Sequence, residues 1–155
     1  PCPMTTIIDA TPAHAGVIAA LHEMSFDASG DHWDEKSVAE ILAMPGAFGL
    51  LIDIDGQPAG FILARLAADE AEIISIGIVE QARRQGLASD LLAAVRQRVQ
   101  AKESRHLFLE VATDNSGAEA FYVSHGFKAC GRRKDYYRRK NGRVDALVMR
   151  LEPVD

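Results

Sequence analysis

The 155-residue sequence predicts an α/β (α+β) fold, with a mixed, mostly antiparallel sheet of six or seven strands flanked by about four helices. Two observations support this fold class. Apolar strand-like runs alternate with amphipathic helical segments, and several neighbouring strands are joined by turns that suit antiparallel hairpins. A chain of this length with 48% hydrophobic residues can bury one core, and no repeat or linker divides it. We therefore expect a single domain over residues 1–155, with residues 1–3 preceding a native start at Met4.

The N-terminal half begins with a predicted strand over residues 5–8. Thr11 and Pro12 combine a capping residue with a proline suited to the first helical turn, which predicts the start of a helix. Its apolar positions recur at helical spacing, at Val17, Ile18, Leu21 and Met24. A weaker helical segment over residues 33–44 follows. Apolar runs at residues 48–54 and 59–67 flank a turn at residues 55–58 and predict a β-hairpin.

The C-terminal half continues the alternation. A strand is predicted over residues 71–79, and an amphipathic helix then runs to about residue 102. Its apolar stripe consists of Leu87, Leu91, Leu92, Val95 and Val99. A strand over residues 106–111 precedes a short helix over residues 114–125, which Gly126 ends. Strands over residues 127–137 and 144–151 form a second hairpin around Asn141 and Gly142.

Composition narrows the classes of function. The formal net charge of −5 argues against broad nucleic-acid binding, which needs an excess of Lys and Arg on one face. The two cysteines, Cys2 and Cys130, have neither metal-ligand spacing nor a disulfide pattern, and the five histidines show no ligand spacing, so we expect no metal. Because no signal or membrane segment is apparent, we expect a cytoplasmic protein with no membrane partner.

The strongest chemical signal is the junction where the strand over residues 71–79 passes through a glycine loop into the central helix. Unpaired N–H groups at a helix start bind phosphate, and small residues at Gly86 and Ala88 let a phosphate group approach the backbone. Arg83 and Arg84 add positive charge. The alternative is a tight helix start with solvated arginines. Gly77, inside an otherwise β-branched strand, indicates either a bulge or the close approach of a ligand.

Arg83, Gly86 and Ala88 resemble the cofactor motif of the GNAT superfamily, in which Arg or Gln is followed after two residues by Gly and after one more by Gly or Ala. The resemblance implies that the chain binds acetyl-CoA along the strand and the loop. It implies these contact residues: Ile76, Gly77, Ile78, Arg83, Arg84, Gln85, Gly86, Leu87, Ala88 and Ser89. Ala88 and Ser89 depart from the residues that many members carry, Gly and Arg.

From about residue 71 to 151 the chain is similar to the RimI-type, ribosomal-protein-alanine N-acetyltransferases of this superfamily. The similarity is carried by residues 109–111, 114–116, 120–122, 125–127 and the second hairpin. It implies that Glu110 is the general base, that Tyr122, twelve residues later, is the general acid, and that Asn115 contacts the cofactor. Without the resemblance, Glu110 reads as a surface acid, Tyr122 as a core residue and Asn115 as a helix cap.

The second hairpin carries seven Lys or Arg residues between residues 132 and 143, interleaved with two tyrosines. A solvated hairpin accounts for these charges better than an RNA-binding strip does, because the remaining chain is acidic. The resemblance implies that this hairpin walls the acceptor site, which makes Tyr136 and Tyr137 candidate peptide contacts, with Trp33 opposite them.

The expected partner is therefore a protein N-terminus, such as that of a ribosomal protein beginning with Ala, acetylated by direct attack in a ternary complex. We expect a monomer or a weak homodimer with no direct nucleic-acid contact. Two alternatives stay open: an acetyltransferase for a lysine side chain or a small amine, and a non-catalytic coenzyme A-binding domain.

Overall fold

The computed structural model describes residues 4–25 and 33–151. Within them one sheet contains seven strands: β1 (Thr5–Ala10), β2 (Ala47–Ile54), β3 (Gln57–Ala67), β4 (Glu70–Ile78), β5 (His106–Ala112), β6 (Lys128–Arg139) and β7 (Gly142–Leu151). The helices are α1 (Ala15–Ser25), α2 (Glu35–Leu42), α3 (Leu87–Ala101) and α4 (Ser116–Ser124), with 3₁₀ turns at Pro12–His14 and Glu80–Ala82. The strand order is β1-β2-β3-β4-β5-β7-β6, and among these neighbours β4 and β5 run parallel while the others are antiparallel. The predicted fold class is confirmed.

The helices cover both faces of the sheet. Arg98 of α3 lies over the ring of Phe48, whereas a Cβ built on the next residue, Gly49, would touch Leu42 of α2. Because successive strand residues face opposite sides, α2 and α3 pack on opposite faces. None of the helices in residues 4–25 and 33–151 combines the length and apolar character that a membrane span requires.

The second helix is shorter than the sequence predicts. It begins at Glu35, not at residue 33, because Asp34 caps it: the Asp34 carboxylate accepts a hydrogen bond from the Ser37 backbone N–H at 2.8 Å. That hydrogen bond is the main cause of the lowered pKa of Asp34. Trp33 therefore precedes the helix.

The first hairpin turn is tighter than predicted, and the second is displaced by one residue. In the first, Asp55 and Gly56 have φ values of 48° and 84°, which is the two-residue primed turn that matches strand twist. Pro58 already pairs with Asp53, so the predicted turn over residues 55–58 was too long. In the second, Arg139 pairs with Gly142, which moves the turn to residues 140–141.

The parallel pair β4–β5 positions the site. Helix α3 connects these strands, as a parallel crossover requires. Their pairing runs from Glu70 opposite His106 to Ile73 opposite Leu109 and then stops, so the two strands separate beyond Ile73.

A β-bulge lies where the separation begins. On β3, Leu63 pairs with Ser75 and its neighbour Ala64 pairs with Ile73, which leaves Ile74 of β4 without a partner on β3. A bulge bends its strand and increases the local twist. The bend at Ile74 thus coincides with the departure of β4 from β5.

Candidate active site

The opening between β4 and β5 exposes backbone groups of β4. The Val79 N–H donates to the Ala59 carbonyl on the β3 side at 2.9 Å. Since backbone polar groups alternate along a strand, those of Ile76 and Ile78 point away from β3 and toward the opening, while those of Gly77 point to β3. Of the three predicted strand contacts, Ile76 and Ile78 therefore offer polar backbone groups to a ligand.

Gly77 does not mark a bulge at its own position, and close packing gives it a structural reason that the sequence analysis did not consider. The bulge is at Ile74, and a Cβ on Gly77 would lie 2.7 Å from Phe61 Cε1 and 3.0 Å from Ser25 Cβ and Oγ. The absent side chain lets the end of α1 pack closely against the sheet. Tight packing thus explains the glycine without a bulge at this residue, and the close approach of a ligand stays a prediction.

A cavity of about 230 Å³ lies along β4 at the opening. Its lining comes from α1 and β4, from the residues just before α3, and from α3 and α4: Ser25, Ile76, Gly77, Ile78, Arg83, Ala88, Ala118, Phe121 and Tyr122. Predicted cofactor residues and the predicted general acid thus meet in one cavity. Tyr122 is buried, with 6% of its surface exposed, and burial raises its pKa above the ordinary value, with a smaller contribution from Tyr137.

The start of α3 has the features of an anion site. Gly86 precedes the helix with a φ of 79°, a left-handed conformation that favours glycine, and the Asp90 N–H returns to the Gly86 carbonyl as the first helical hydrogen bond. The N–H groups of Leu87, Ala88 and Ser89 therefore belong to the unpaired first turn. Such groups carry partial positive charge and favour phosphate.

Arg83, a predicted cofactor contact, makes backbone hydrogen bonds that the sequence analysis did not foresee. Its Nε donates to the Ile78 carbonyl at 3.2 Å, and its Nη2 donates to the Ser25 carbonyl. The guanidinium therefore joins the end of α1 to the end of β4. Arg84 and Gln85 are exposed in the loop, and Arg84 has a φ of 66°.

The start of α3 is also tied to α4. The Ser89 hydroxyl lies 3.0 Å from His125 Nε2, and His125 Nδ1 lies 2.9 Å from the Phe121 carbonyl. Asn115 caps α4, where its side-chain oxygen accepts from the Ala118 N–H at 3.1 Å. The capping role of Asn115 is observed, and its contact with a cofactor stays a prediction.

Glu110 lies beside the opening on β5, and its side chain is 13% exposed. Its Oε1 is 2.8 Å from Arg133 Nε. The Tyr136 hydroxyl hydrogen bonds to the same carboxylate, whose negative charge is the main cause of the raised pKa of Tyr136. The Tyr137 hydroxyl donates to the Glu110 backbone carbonyl across 3.5 Å. Both predicted acceptor-site tyrosines thus contact the predicted general base.

A bulge in β6 brings these tyrosines to Glu110. Between Arg133 and Tyr137, β6 advances four residues while β7 advances two. Asp145 of β7 holds the bulge: one oxygen accepts from the Asp135 N–H at 2.9 Å and the other from Arg132 at 3.1 Å. The periodicity of the sequence gives no sign of this bulge.

Glu72 is a site residue that the sequence analysis missed. It pairs with Phe108 across β4 and β5, and Phe108 shares a strand face with Glu110, so both carboxylates lie on one face. Burial raises the pKa of Glu72, and the negative charge of Glu110 raises it further. The signal available in the sequence was a Glu inside an otherwise apolar strand.

The face that carries these carboxylates is the face of α1 and α2. Glu72 pairs with Arg65 on β3, and Arg65 lies on the same strand face as Phe61. Phe61 in turn lies beside Ser25 of α1. The ring of Trp33 stacks on His22 of α1 with centroids 5.1 Å apart, so it lies on this face too. The role of Trp33 in acceptor binding stays a prediction. Within the described ranges, no three acidic, His or Cys side chains cluster as metal ligands would.

Comparisons with known proteins agree with this geometry. Residues 18–127 match the sequence profile of the acetyltransferase (GNAT) family. A Bacillus subtilis protein provisionally named ribosomal protein bS18-alanine N-acetyltransferase is 33% identical over 83% of this chain and 85% of its own length. The N-alpha-acetyltransferase RimI of Mycobacterium tuberculosis is 30% identical over 97% of this chain and 94% of its own length.

The crystal structure of the ribosomal-protein-S18-alanine N-acetyltransferase from Escherichia coli has the same fold. It superposes with a TM-score of 0.88 at 27% identity, covering 97% of this chain and 94% of the other. Both parts of the resemblance drawn from the sequence, to the superfamily and to its ribosomal-protein-alanine members, are confirmed. The chain belongs to the GNAT family of acetyltransferases.

Proposed function

We propose that this chain transfers the acetyl group of acetyl-CoA to the N-terminal α-amino group of a protein, with an Ala-starting ribosomal protein as the first candidate. The observation that carries the proposal is the arrangement at the opening between β4 and β5. Glu110 lies on the face of α1 and α2, and Tyr122 lines the cavity from α4. A base and an acid can thus approach one reacting bond from different sides. The names of the relatives support an α-amine acceptor.

The residues present fit acetyl-CoA. When bound, it supplies the thioester whose acetyl group is transferred. The edge of β4 that β5 leaves uncovered, at the backbone groups of Ile76 and the N–H of Ile78, can hydrogen bond an amide-containing arm. The α3 start, through the N–H groups of Ala88 and Ser89, can hold phosphates. The cavity beside them would take the acyl end, because Ala88 and Tyr122 both line it. Arg83 supports this binding indirectly, by fixing the carbonyl of Ile78.

Glu110 would act on the acceptor amine. An α-ammonium with a reference pKa of about 8 loses its proton far more readily than a lysine of about 10.4. The Glu110 carboxylate, directly or through a water, takes this proton so that the nitrogen gains a lone pair for attack. Arg133 must give up its 2.8 Å contact or share the carboxylate when the acceptor enters.

Tyr122 would act on the departing sulfur. As the N–C bond forms and the C–S bond breaks, one proton of the original ammonium has gone to Glu110 and then to solvent. The second proton ends on sulfur by way of the Tyr122 hydroxyl. Because burial raises the pKa of Tyr122, the side chain stays a neutral donor throughout the physiological range.

Tyr136 and Tyr137 would wall the acceptor site. Tyr136 is 48% exposed, so its ring can contact a peptide while its hydroxyl holds the Glu110 carboxylate. Replacing both tyrosines with Ala should raise the KM for a peptide and leave the KM for acetyl-CoA unchanged. An unchanged peptide KM would remove them from the acceptor site.

The function is tested by measuring coenzyme A release from acetyl-CoA, as free thiol, with three acceptors in parallel. These are an Ala-starting peptide with a free α-amine, a lysine peptide with a blocked α-amine, and a polyamine. Selective turnover of the free α-amine is expected. Turnover of the other acceptors alone would transfer the assignment to a lysine or small-amine acetyltransferase. Acetyl-CoA binding without turnover of any acceptor would indicate a non-catalytic binding domain.

A further inference from the structure

We propose that Glu72 is a second carboxylate of the acceptor site, which together with Glu110 binds the ammonium group of the incoming acceptor before its proton is removed. This proposal rests on the proposed function and deepens it. It makes Glu72 a residue that determines affinity for positively charged acceptors, whereas Glu110 acts on the proton.

The register of the sheet places the two carboxylates at one location. Glu72 is opposite Phe108, and Glu110 is two residues farther along β5 on the same face. With neighbouring strands about 4.8 Å apart and about 3.3 Å per residue along a strand, the two Cα atoms are separated by roughly 8 Å. Glutamate side chains extending from that separation can both reach a single ammonium group. They stand at the end of the β4–β5 pairing, where the strands separate.

The negative charge of this pair is incompletely balanced. Arg133 contacts Glu110 at 2.8 Å, but the Glu72 carboxylate makes neither a hydrogen bond nor an ion pair with any residue that the structure describes. Arg65 and Arg133 lie close enough to favour its charged form, yet burial and repulsion from Glu110 outweigh them and raise the pKa of Glu72. A cation placed between the carboxylates would relieve that repulsion.

A purely structural role does not explain Glu72. Glu72 is partly buried, and a carboxylate withdrawn from water to stabilise a fold is normally paired or hydrogen bonded, because desolvation penalises it otherwise. Glu70, two residues earlier on the same strand face, is a paired carboxylate for comparison: its side chain is 42% exposed and lies 3.3 Å from Arg150. Glu70 also lies two residue pairs farther from the opening than Glu72, which makes it a matched control.

The test compares Glu72→Gln, Glu72→Asp and the control Glu70→Gln. For each variant one measures kcat, the KM for an Ala-starting peptide and the KM for acetyl-CoA. The dissociation constants of the free peptide and of its N-acetylated form are also measured by calorimetry. We expect Glu72→Gln to weaken binding of the free peptide and raise its KM about tenfold, as the loss of a charge-assisted contact would. The KM for acetyl-CoA and the affinity for the uncharged, acetylated peptide should not change. Glu72→Asp should restore part of the loss, and Glu70→Gln should behave as the parent.

Two results overturn the proposal. One is an unchanged affinity for the free peptide in Glu72→Gln. The other is an equal loss of affinity for the free and acetylated peptides, which would mean that Glu72 shapes the site without binding charge. Failure of the proposed function is seen separately, in the parent enzyme. If the parent acetylates only the lysine peptide, the same comparison of variants is made with that peptide. If no acceptor turns over, the calorimetric affinities of the parent and Glu72→Gln for the free peptide decide whether Glu72 binds its ammonium group.

Discussion

Replacing Gly77 with Ala tests why the strand at the opening contains a glycine. The new Cβ would lie 2.7 Å from Phe61 Cε1 and 3.0 Å from two atoms of Ser25. Ordinary carbon contacts are about 3.5–4.0 Å, so these approaches are short by about 0.8 Å and about 0.5 Å. Phe61 is fully buried and cannot withdraw, and the Ser25 carbonyl is held by Arg83. Overpacking of this kind costs about 1–3 kcal/mol, which for a chain of this size lowers Tm by about 2–12 °C.

The assay is thermal unfolding of Gly77→Ala beside the control Gly117→Ala, where a new Cβ would meet no atom within 4 Å. The control should unfold at the parent Tm or up to about 4 °C above it, because Ala in the first turn of α4 gains up to about 1 kcal/mol in helix propensity over Gly. An unchanged Tm for Gly77→Ala, with a raised KM for acetyl-CoA, would refute the packing explanation and support close approach of a ligand at this residue.

Three further predictions follow from the site. Tyr122→Phe should lower kcat by about 10²–10⁴-fold in a fixed-time assay of coenzyme A release. In a pH profile, the parent should lose no activity through ionisation of Tyr122 up to about pH 10, because burial raises the pKa of Tyr122. Glu72→Gln should raise Tm at neutral pH. A carboxyl group whose pKa is higher in the folded than in the unfolded protein opposes folding above the folded pKa, so the gain should shrink as pH falls through that value. Asp145→Ala should free the β6 bulge, raise the peptide KM severalfold with an unchanged acetyl-CoA KM, and reduce stability by about 1 kcal/mol in urea unfolding.

The sequence predicts the order and type of the elements well, because their signals are local. Each of three features is determined by residues that are close together in sequence: the apolar stripe of α3, the Gly that ends α4 and the Asp55-Gly56 turn. The left-handed turn at Gly86, which opens helix α3, is predictable for the same reason. Its φ of 79° favours glycine, and Ala88 and Ser89 in the first turn of α3 are small.

Features that depend on pairing between distant segments could not be predicted in this way. The bulge at Ile74 is defined by the register against β3, and the bulge beside Tyr136 by the Asp145 carboxylate on another strand. Nothing near Arg83 in sequence shows that its guanidinium binds the carbonyl of Ser25, 58 residues away. The role proposed for Glu72 depends on Glu110, which lies on the same face of the neighbouring parallel strand β5.

The central claim is that the enzyme acetylates a protein at its N-terminal α-amine with Glu110 as the base. It is tested most directly by incubating an intact, Ala-starting ribosomal protein bS18 with acetyl-CoA and the parent enzyme or Glu110→Gln, and locating the acetyl group by mass spectrometry. We predict a single acetyl group on the α-amine with the parent and a rate at least about 10²-fold lower with Glu110→Gln at neutral pH. Acetylation confined to lysine side chains, or equal rates for the two enzymes, would contradict the account.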